Sequence, residues 1–195
     1  MNERPIIFSG PMVRAILDGR KTQTRRVVKL NASGRAQRKG RNWHLADPEC
    51  VLACPYGVPG DRLWVRESLY EDFDNGWSYD ADRAAIVETQ QNINAFNEWG
   101  AKQPVMRVRV PSIHMPRWAS RITLEVVSVR VERLNEISFA DCHAEGIDPT
   151  WDGKPSEVES YERLWDSINA KKHPWSSNPW VWVVGFRRLE ATDAS

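Results

Sequence analysis

Ile122-Thr123-Leu124-Glu125-Val126-Val127-Ser128-Val129-Arg130-Val131-Glu132-Arg133-Leu134 is the clearest strand in the sequence. Side chains alternate between the two faces of a strand, so parity along this run reports which face is buried. Ile122, Leu124 and Val126 share one parity, whereas Val127, Val129 and Val131 share the other. The flip predicts a bulge or bend near Val126–Val127, the device by which strands of a small barrel curl. Trp180 to Leu189 reads as a closing strand, with Val181, Val183 and Gly185 on one face and Trp182, Val184 and Phe186 on the other. Leu63–Arg66, Thr22–Val28 and Val105–Val110 are further strand candidates, rich in β-branched residues.

Helices are signalled between these strands. Residues 11–18 have Pro11 at the start, an apolar face of Met12, Val13, Ile16 and Leu17, and Gly19 as a stop. Ser138 with Asp141 forms a capping-box pattern that ends at Gly146. Ser156 with Glu159 repeats it, followed by Val158, Tyr161, Leu164, Trp165 and Ile168 at helical spacing, a stripe that reads as core. Residues 81–99 are ambiguous between loop and inserted helix, and Pro104 closes them. The sum is an α+β fold: a small, mixed β-barrel with two or three flanking helices and inserted loops.

The chain has 195 residues, 41% of them apolar and 27% charged, which suits one globular domain and excludes wholesale disorder. No stretch approaches the roughly 20 apolar residues of a membrane helix, and Met1–Gly10 lacks a signal-peptide layout, so a cytoplasmic protein without a membrane partner is expected. Three cysteines, Cys50, Cys54 and Cys142, are too few for a disulfide scaffold. His44 with Cys50 and Cys54 does not have zinc-site spacing, so no metal and no cofactor are expected. Ten tryptophans are a heavy load, serving core packing or base stacking.

The net charge is only +1, but it is unevenly spread. Gly19 to Ala46 contains no acidic residue and nine Lys or Arg. Its Leu30–Asn42 half, rich in Gly, Ser, Asn and Ala, reads as a mobile loop. Arg35, Arg38, Lys39 and Arg41 on it are candidate phosphate contacts for RNA or single-stranded nucleic acid; the plain alternative is a solvated loop.

Gly19-Arg20-Lys21-Thr22-Gln23-Thr24-Arg25-Arg26 links a helix end to a strand. Thr22, Thr24 and Arg26 share a strand face, and Lys21 sits at the entrance where the chain still turns. Lysine, threonine and arginine thus converge on one pocket. A neighbouring guanidinium lowers a lysine's pKa and makes the amine a base, and a threonine hydroxyl beside it can be a nucleophile. An ordinary strand edge with solvated bases is the competing reading.

Gly19-x-Lys21-x-x-x-x-Arg26 resembles the signature of the ASCH family, whose members share a PUA-like β-barrel. The resemblance extends to Pro59-Gly60-Asp61-Arg62-Leu63-Trp64-Val65-Arg66-Glu67, to Ala144-Glu145-Gly146 and to Phe186-Arg187-Arg188. It implies one ASCH/PUA-like domain over 1–195, with insertions near 30–55, 71–120 and 148–178. Met115-Pro116-Arg117-Trp118-Ala119-Ser120-Arg121 and Asn178-Pro179-Trp180-Val181-Trp182 resemble phage and prophage members. Small bacterial members are amidohydrolases that deacetylate N(4)-acetylcytidine. The resemblance implies Thr24 as nucleophile, Lys21 as base and Glu145 as proton shuttle. Glu145 is aligned through Cys142-x-x-Glu145-Gly146, and Glu136 and Asp141 are the other carboxylates of that stretch.

Arg26, Arg66, Glu67 and Trp118 are candidate substrate-binding residues, because Arg66 and Glu67 follow a barrel-rim strand and Trp118 lies between Arg117 and Arg121. The expected substrate is an acylated cytosine nucleoside or nucleotide. The alternatives are a non-catalytic reader of RNA or modified DNA, and a ribonuclease.

Overall fold

The computed structural model describes residues 1–72, 76–86, 94–96, 98–99, 109–148 and 155–190. The named elements are β1 (Glu3–Ile7), α1 (Gly10–Leu17), β2 (Gln23–Val27), β3 (Ala36–Arg38), β4 (Arg41–Trp43), β5 (Arg62–Arg66), β6 (Leu69–Asp72), β7 (Gly76–Tyr79), β8 (Arg109–Val110), β9 (Thr123–Arg133), α2 (Phe139–Ala144), α3 (Glu157–Asn169) and β10 (Trp180–Arg188). The fold is α+β. Its main sheet is mixed, in the order β1-β5-β9-β10-β2, with β1 parallel to β5 and the other pairs antiparallel.

The parity flip in β9 is resolved by a bulge. Gly185 of β10 faces Ser128 and Phe186 faces Val126, so Val127 is the extra residue and is 49% exposed. The insertion keeps Leu124 and Val126 on the same face as Val129 and Val131, and all four join one interior cluster. Ile6 and Phe8, Leu63 and Val65, and Trp182, Val184 and Phe186 complete that cluster, with Val13 and Ile16 of α1. Full burial of each Leu, Val, Ile or Phe contributes about 1.5–3 kcal/mol, which is the chief reason the sheet curls around this face. The edge strands β1 and β2 approach along a seam, crossed by an Arg26 Nη2 donation to the Ile7 carbonyl at 2.7 Å.

The opposite face of β10 and β2 carries the helices. Val181 and Val183 pack with Leu134, Ile137 and Cys142, and with Tyr161 and Trp165 of α3. Both predicted capping boxes are formed, Ser138 with Asp141 and Ser156 with Glu159. A second sheet, β7-β6-β8, has its own cluster including Leu69, Tyr79, Phe96 and Met115.

One expectation is corrected. Residues 30–42 do not form a featureless loop: β3 and β4 pair as a hairpin that turns at Lys39-Gly40. Both turn residues have positive φ, +49° and +78°, the backbone that two-residue hairpin loops require. Ala36 is buried in the interior cluster and Trp43 packs on it, which anchors the hairpin. The Val105–Val110 strand is described only at Arg109–Val110, and its first four residues lie outside the described residues. Of the ambiguous 81–99 stretch, 94–96 and 98–99 are helical. Among the described residues, no helix is long and apolar enough to cross a membrane.

Asp61 clamps the entry of β5. It accepts from Asn2 N at 2.8 Å, from Arg4 Nη1 at 2.7 Å and from Val58 N at 3.3 Å. Burial works against its charge, but these donors outweigh it and hold the carboxyl at about 2. The unfolded carboxyl titrates near ~3.9, so Asp61 stabilises the fold above that value and the contribution is lost as pH falls from about 4 towards about 2. The shift corresponds to about 2 kcal/mol. Urea unfolding of Asp61→Asn should show lower stability near neutrality and a shallower loss between about pH 4 and about pH 2. Acid limbs of equal slope in the two proteins would contradict this.

Candidate active site

The Gly19–Arg26 segment is held between the ends of two helices. The backbone N–H groups of Arg20 and Lys21 both donate to the Ala15 carbonyl at the end of α1, and Thr22 N donates to the Ala144 carbonyl at the end of α2. The register with β10 then sorts the side chains. Thr24 faces Val184 and Arg26 faces Trp182, so these two lie on the interior side. Gln23 and Arg25 lie on the helix side, where Arg25 faces Val183.

Lys21, at the mouth of β2, reaches Glu145. Its Nζ donates to Glu145 Oε2 at 2.7 Å and to the Glu145 carbonyl at 2.8 Å. The pair is sealed, with side-chain exposures of 0% and 3%. The structure therefore sets Glu145 against Lys21, and it places the other two carboxylates of that stretch elsewhere. Glu136 accepts from Arg133 N. Asp141 accepts from Gln23 Nε2 at 2.8 Å and contacts Arg25 and Arg130. Burial drives the Lys21 pKa below its ordinary value, and the Glu145 carboxylate only partly restores it. Arg26 and Arg25 add to the lowering, so desolvation exceeds the guanidinium effect expected from the sequence.

Arg25 organises the helix side. Its guanidinium reaches Glu145 Oε1 at 3.2 Å, Asp141 Oδ2 at 3.1 Å, and Glu132 through both Nε and Nη2. Burial opposes its charge, but the Glu145 and Glu132 carboxylates outweigh it and raise the Arg25 pKa. Arg130 closes the network by bonding both Glu132 and Asp141. Sequence reasoning missed Arg25 and Glu132 as parts of the site. The available signal was parity: Arg25 and Glu132 sit on the strand face opposite Thr24 and Val131, which is the face the helices cover.

Gly146 brings α2 close enough for these contacts. Its φ is +87°, and a Cβ there would stand 2.9 Å from Ala15 Cβ and 3.2 Å from Lys21 Cβ. Gly146→Ala should cost roughly 1–2 kcal/mol from the left-handed backbone alone, and more as α1 and α2 are pushed apart. Chemical denaturation checks this, and an unchanged midpoint would mean that the helix ends have slack.

On the interior side, Phe8 is near two cations, with Lys21 Nζ 5.7 Å and the Arg26 guanidinium 5.2 Å from its ring centroid. A cleft of about 390 Å³ opens beyond it, lined by Phe8, Ser9, Arg26, Glu67, Ser68 and Asp80 among others. Arg26 and Glu67 are thus brought together. Glu67 is buried and doubly bonded by Arg121, at 2.9 and 3.0 Å; burial pushes its pKa up while Arg121 pulls it back. Lys21 and Thr24 are both buried, and neither lines this cleft.

The side chains of Arg66 and Trp118 have other partners and do not line this cleft. Arg66 donates from Nη2 to the Ile113 carbonyl and lies 5.4 Å from the Trp64 ring centroid, and its buried Nε has no hydrogen-bond partner among the described residues. Trp118 packs edge-on to Phe96 at 4.4 Å, while Arg117 binds Glu3 and Arg121 binds Glu67 and Asp82. Of the basic-loop residues, Arg38 donates to the Cys54 carbonyl at 2.6 Å, and Arg35, Lys39 and Arg41 are exposed. Cys50 and Cys54 are buried in the interior cluster, and burial pushes the Cys54 thiol up to about 11.

No family model and no curated protein matches the chain. Among solved structures it is similar to an ASCH domain from Lactobacillus crispatus JV V101, with 9% identity and a TM-score of 0.42 over 96% of this chain and 79% of that chain. It is also similar to a DUF984-family protein from Enterococcus faecalis V583, with 10% identity and a TM-score of 0.44 over 97% of this chain and 80% of that chain.

Proposed function

We propose that the protein is an amidohydrolase that removes an acyl group from the exocyclic amine of cytosine, in a substrate like N(4)-acetylcytidine. The observation that carries this reading is the sealed 2.7 Å contact between Lys21 and Glu145 at the mouth of the strand that bears Thr24. A buried lysine with a lowered pKa is a base at milder pH than a solvated one, and a carboxylate in contact with it is placed to exchange its proton.

In this reading Thr24 Oγ1 attacks the acyl carbonyl carbon while Lys21 Nζ takes the hydroxyl proton. The carbonyl oxygen becomes the oxyanion of a tetrahedral intermediate. Collapse breaks the C–N bond, and the cytosine amine leaves with a proton passed from Lys21 through Glu145. Water then attacks the acyl-threonine, with the same groups acting in reverse, and releases the carboxylic acid. Arg25 keeps one Glu145 oxygen occupied, so the other faces Lys21. The base lies in the Phe8–Arg26–Glu67 cleft, and entry of the acyl group displaces the Phe8 ring from between the cleft and Lys21.

The test is ultraviolet turnover of N(4)-acetylcytidine by wild type, Thr24→Ser and Thr24→Ala. Wild type should convert it to cytidine, Thr24→Ser should retain part of the rate, and Thr24→Ala should lose it. Turnover by Thr24→Ala close to that of wild type would remove threonine from the role of nucleophile.

A further inference from the structure

A second cleft, of about 440 Å³, lies on the same seam as the first. The first cleft takes Ile7 and Phe8 from the β1 end and Arg26 from β2. The second takes Arg4 and Pro5 from β1, Val27 from β2 and Lys29 just beyond it. The two are offset by about three residues along β1, which is ~10 Å at strand rise, and Lys29 lies three residues beyond Arg26 on the other edge. The Arg26–Ile7 hydrogen bond stands between them.

The second cleft is basic. Arg4, Lys29 and Arg38 line it, and among the described residues no carboxylate does. The Arg4 charge is met from behind by Asp61 at 2.7 Å. Arg38 is held by the neutral carbonyls of Leu52 and Cys54, so its position is fixed without its charge being cancelled there. Lys29 is exposed at the rim, and Tyr56 supplies a half-buried aromatic wall. One fixed guanidinium, Arg38, with the Lys29 ammonium at the rim and the Tyr56 ring beside them, matches a phosphate with its attached nucleoside. The hairpin β3–β4 supplies Arg38, which gives the inserted 30–55 segment a task.

We infer that the substrate is a single-stranded oligonucleotide: the acylated cytosine fills the Phe8–Arg26–Glu67 cleft, and a neighbouring phosphodiester lies on Lys29 and Arg38, with Arg26 bridging the two positions. This rests on the amidohydrolase reading for the first cleft, but the second cleft is testable on its own. A free nucleoside leaves the Lys29–Arg38 cleft empty. Of the four basic residues singled out in the sequence, only Arg38 takes part.

The experiment has a binding arm and a turnover arm. Fluorescein-labelled oligocytidylate, in ribo and deoxyribo forms, is titrated by anisotropy against wild type, Lys29→Ala and Arg38→Gln at several salt concentrations. Glutamine keeps a donor for the Leu52 and Cys54 carbonyls, which guards the fold. Wild type should bind with a log–log salt slope of about −0.7 per phosphate contacted. Each variant should weaken binding about 10-fold and flatten the slope. Tighter binding of the ribo probe would assign the groove to RNA, and equal binding would assign it to the shared backbone. In the turnover arm, the ratio of kcat/KM for an oligonucleotide carrying one N(4)-acetylcytidine to that for the free nucleoside should be ~10 or more and fall in both variants. Variant-sensitive binding without any deacetylation would uphold the groove and overturn the catalytic reading. Nucleoside turnover with an oligonucleotide ratio near one, and binding indifferent to Lys29 and Arg38, would overturn the groove and leave the catalytic reading intact.

Discussion

Arg25→Met should be among the most destabilising single changes in this protein, lowering unfolding free energy by about 3–5 kcal/mol. The side chain of Arg25 is 0% exposed and touches Glu132, Asp141 and Glu145. Methionine matches much of its volume, so packing loss is small and the cost is electrostatic. Glu132 and Asp141 retain Arg130 and some solvent, with side-chain exposures of 15% and 20%, whereas Glu145 has 3% and keeps only Lys21 among these cations. The cost therefore concentrates on Glu145. Urea denaturation gives the number, and a double variant with Glu145→Gln should recover part of it, because the stranded carboxylate is removed with its guanidinium while the glutamine carbonyl still accepts from Lys21. A loss below about 1 kcal/mol would mean that the cluster is as loosely coupled as a surface ion pair.

The second large effect is on turnover. Lys21→Met should lower kcat/KM for N(4)-acetylcytidine by roughly 10²–10⁴, the usual contribution of a positioned base. The base acts in its neutral form, so wild-type activity should fall as pH drops through the Lys21 pKa. That acid limb lies below the ordinary lysine value of 10.5, because burial, with the help of Arg26 and Arg25, disfavours the ammonium. In Lys21→Met the residual activity should lack this limb. A profile of unchanged shape would assign the titration to another group. The substitution also leaves Glu145 with Arg25 as its remaining charged partner in the cluster, so stability has to be measured alongside.

Much of the fold was legible in local pattern. The β9 parity flip located the Val127 bulge because burial of one face forces apolar residues onto one side, and an extra residue is the cheapest way to reset the alternation. The two capping boxes marked α2 and α3 because their donors and acceptors lie three residues apart. The β3–β4 hairpin was missed because its strands are three residues each and polar, with only Ala36 and Trp43 turned to the core. Lys39-Gly40 was the available signal.

The candidate site was legible only in part. Lys21 and Arg26 are close in sequence, so strand parity and a helix end were enough to group them, and both reach the Phe8 ring. Glu145 lies 124 residues away from Lys21, and no spacing rule joins them; the family resemblance did. Phe8 gave no sign because nothing local distinguishes an aromatic at a cleft wall from a core one. Trp118 was chosen for its two arginine neighbours along the chain, and the fold sends Arg117 to Glu3 and Arg121 to Glu67 and Asp82 instead.

The central claim is that the sealed Lys21–Glu145 pair serves acyl transfer from cytosine. Incubating folded wild type and Lys21→Met side by side with N(4)-acetylcytidine, and following conversion to cytidine by ultraviolet absorbance, tests it most directly. The account predicts turnover in wild type and its near-complete loss in the variant. Absence of turnover in folded wild type, or equal turnover in both proteins, would contradict it.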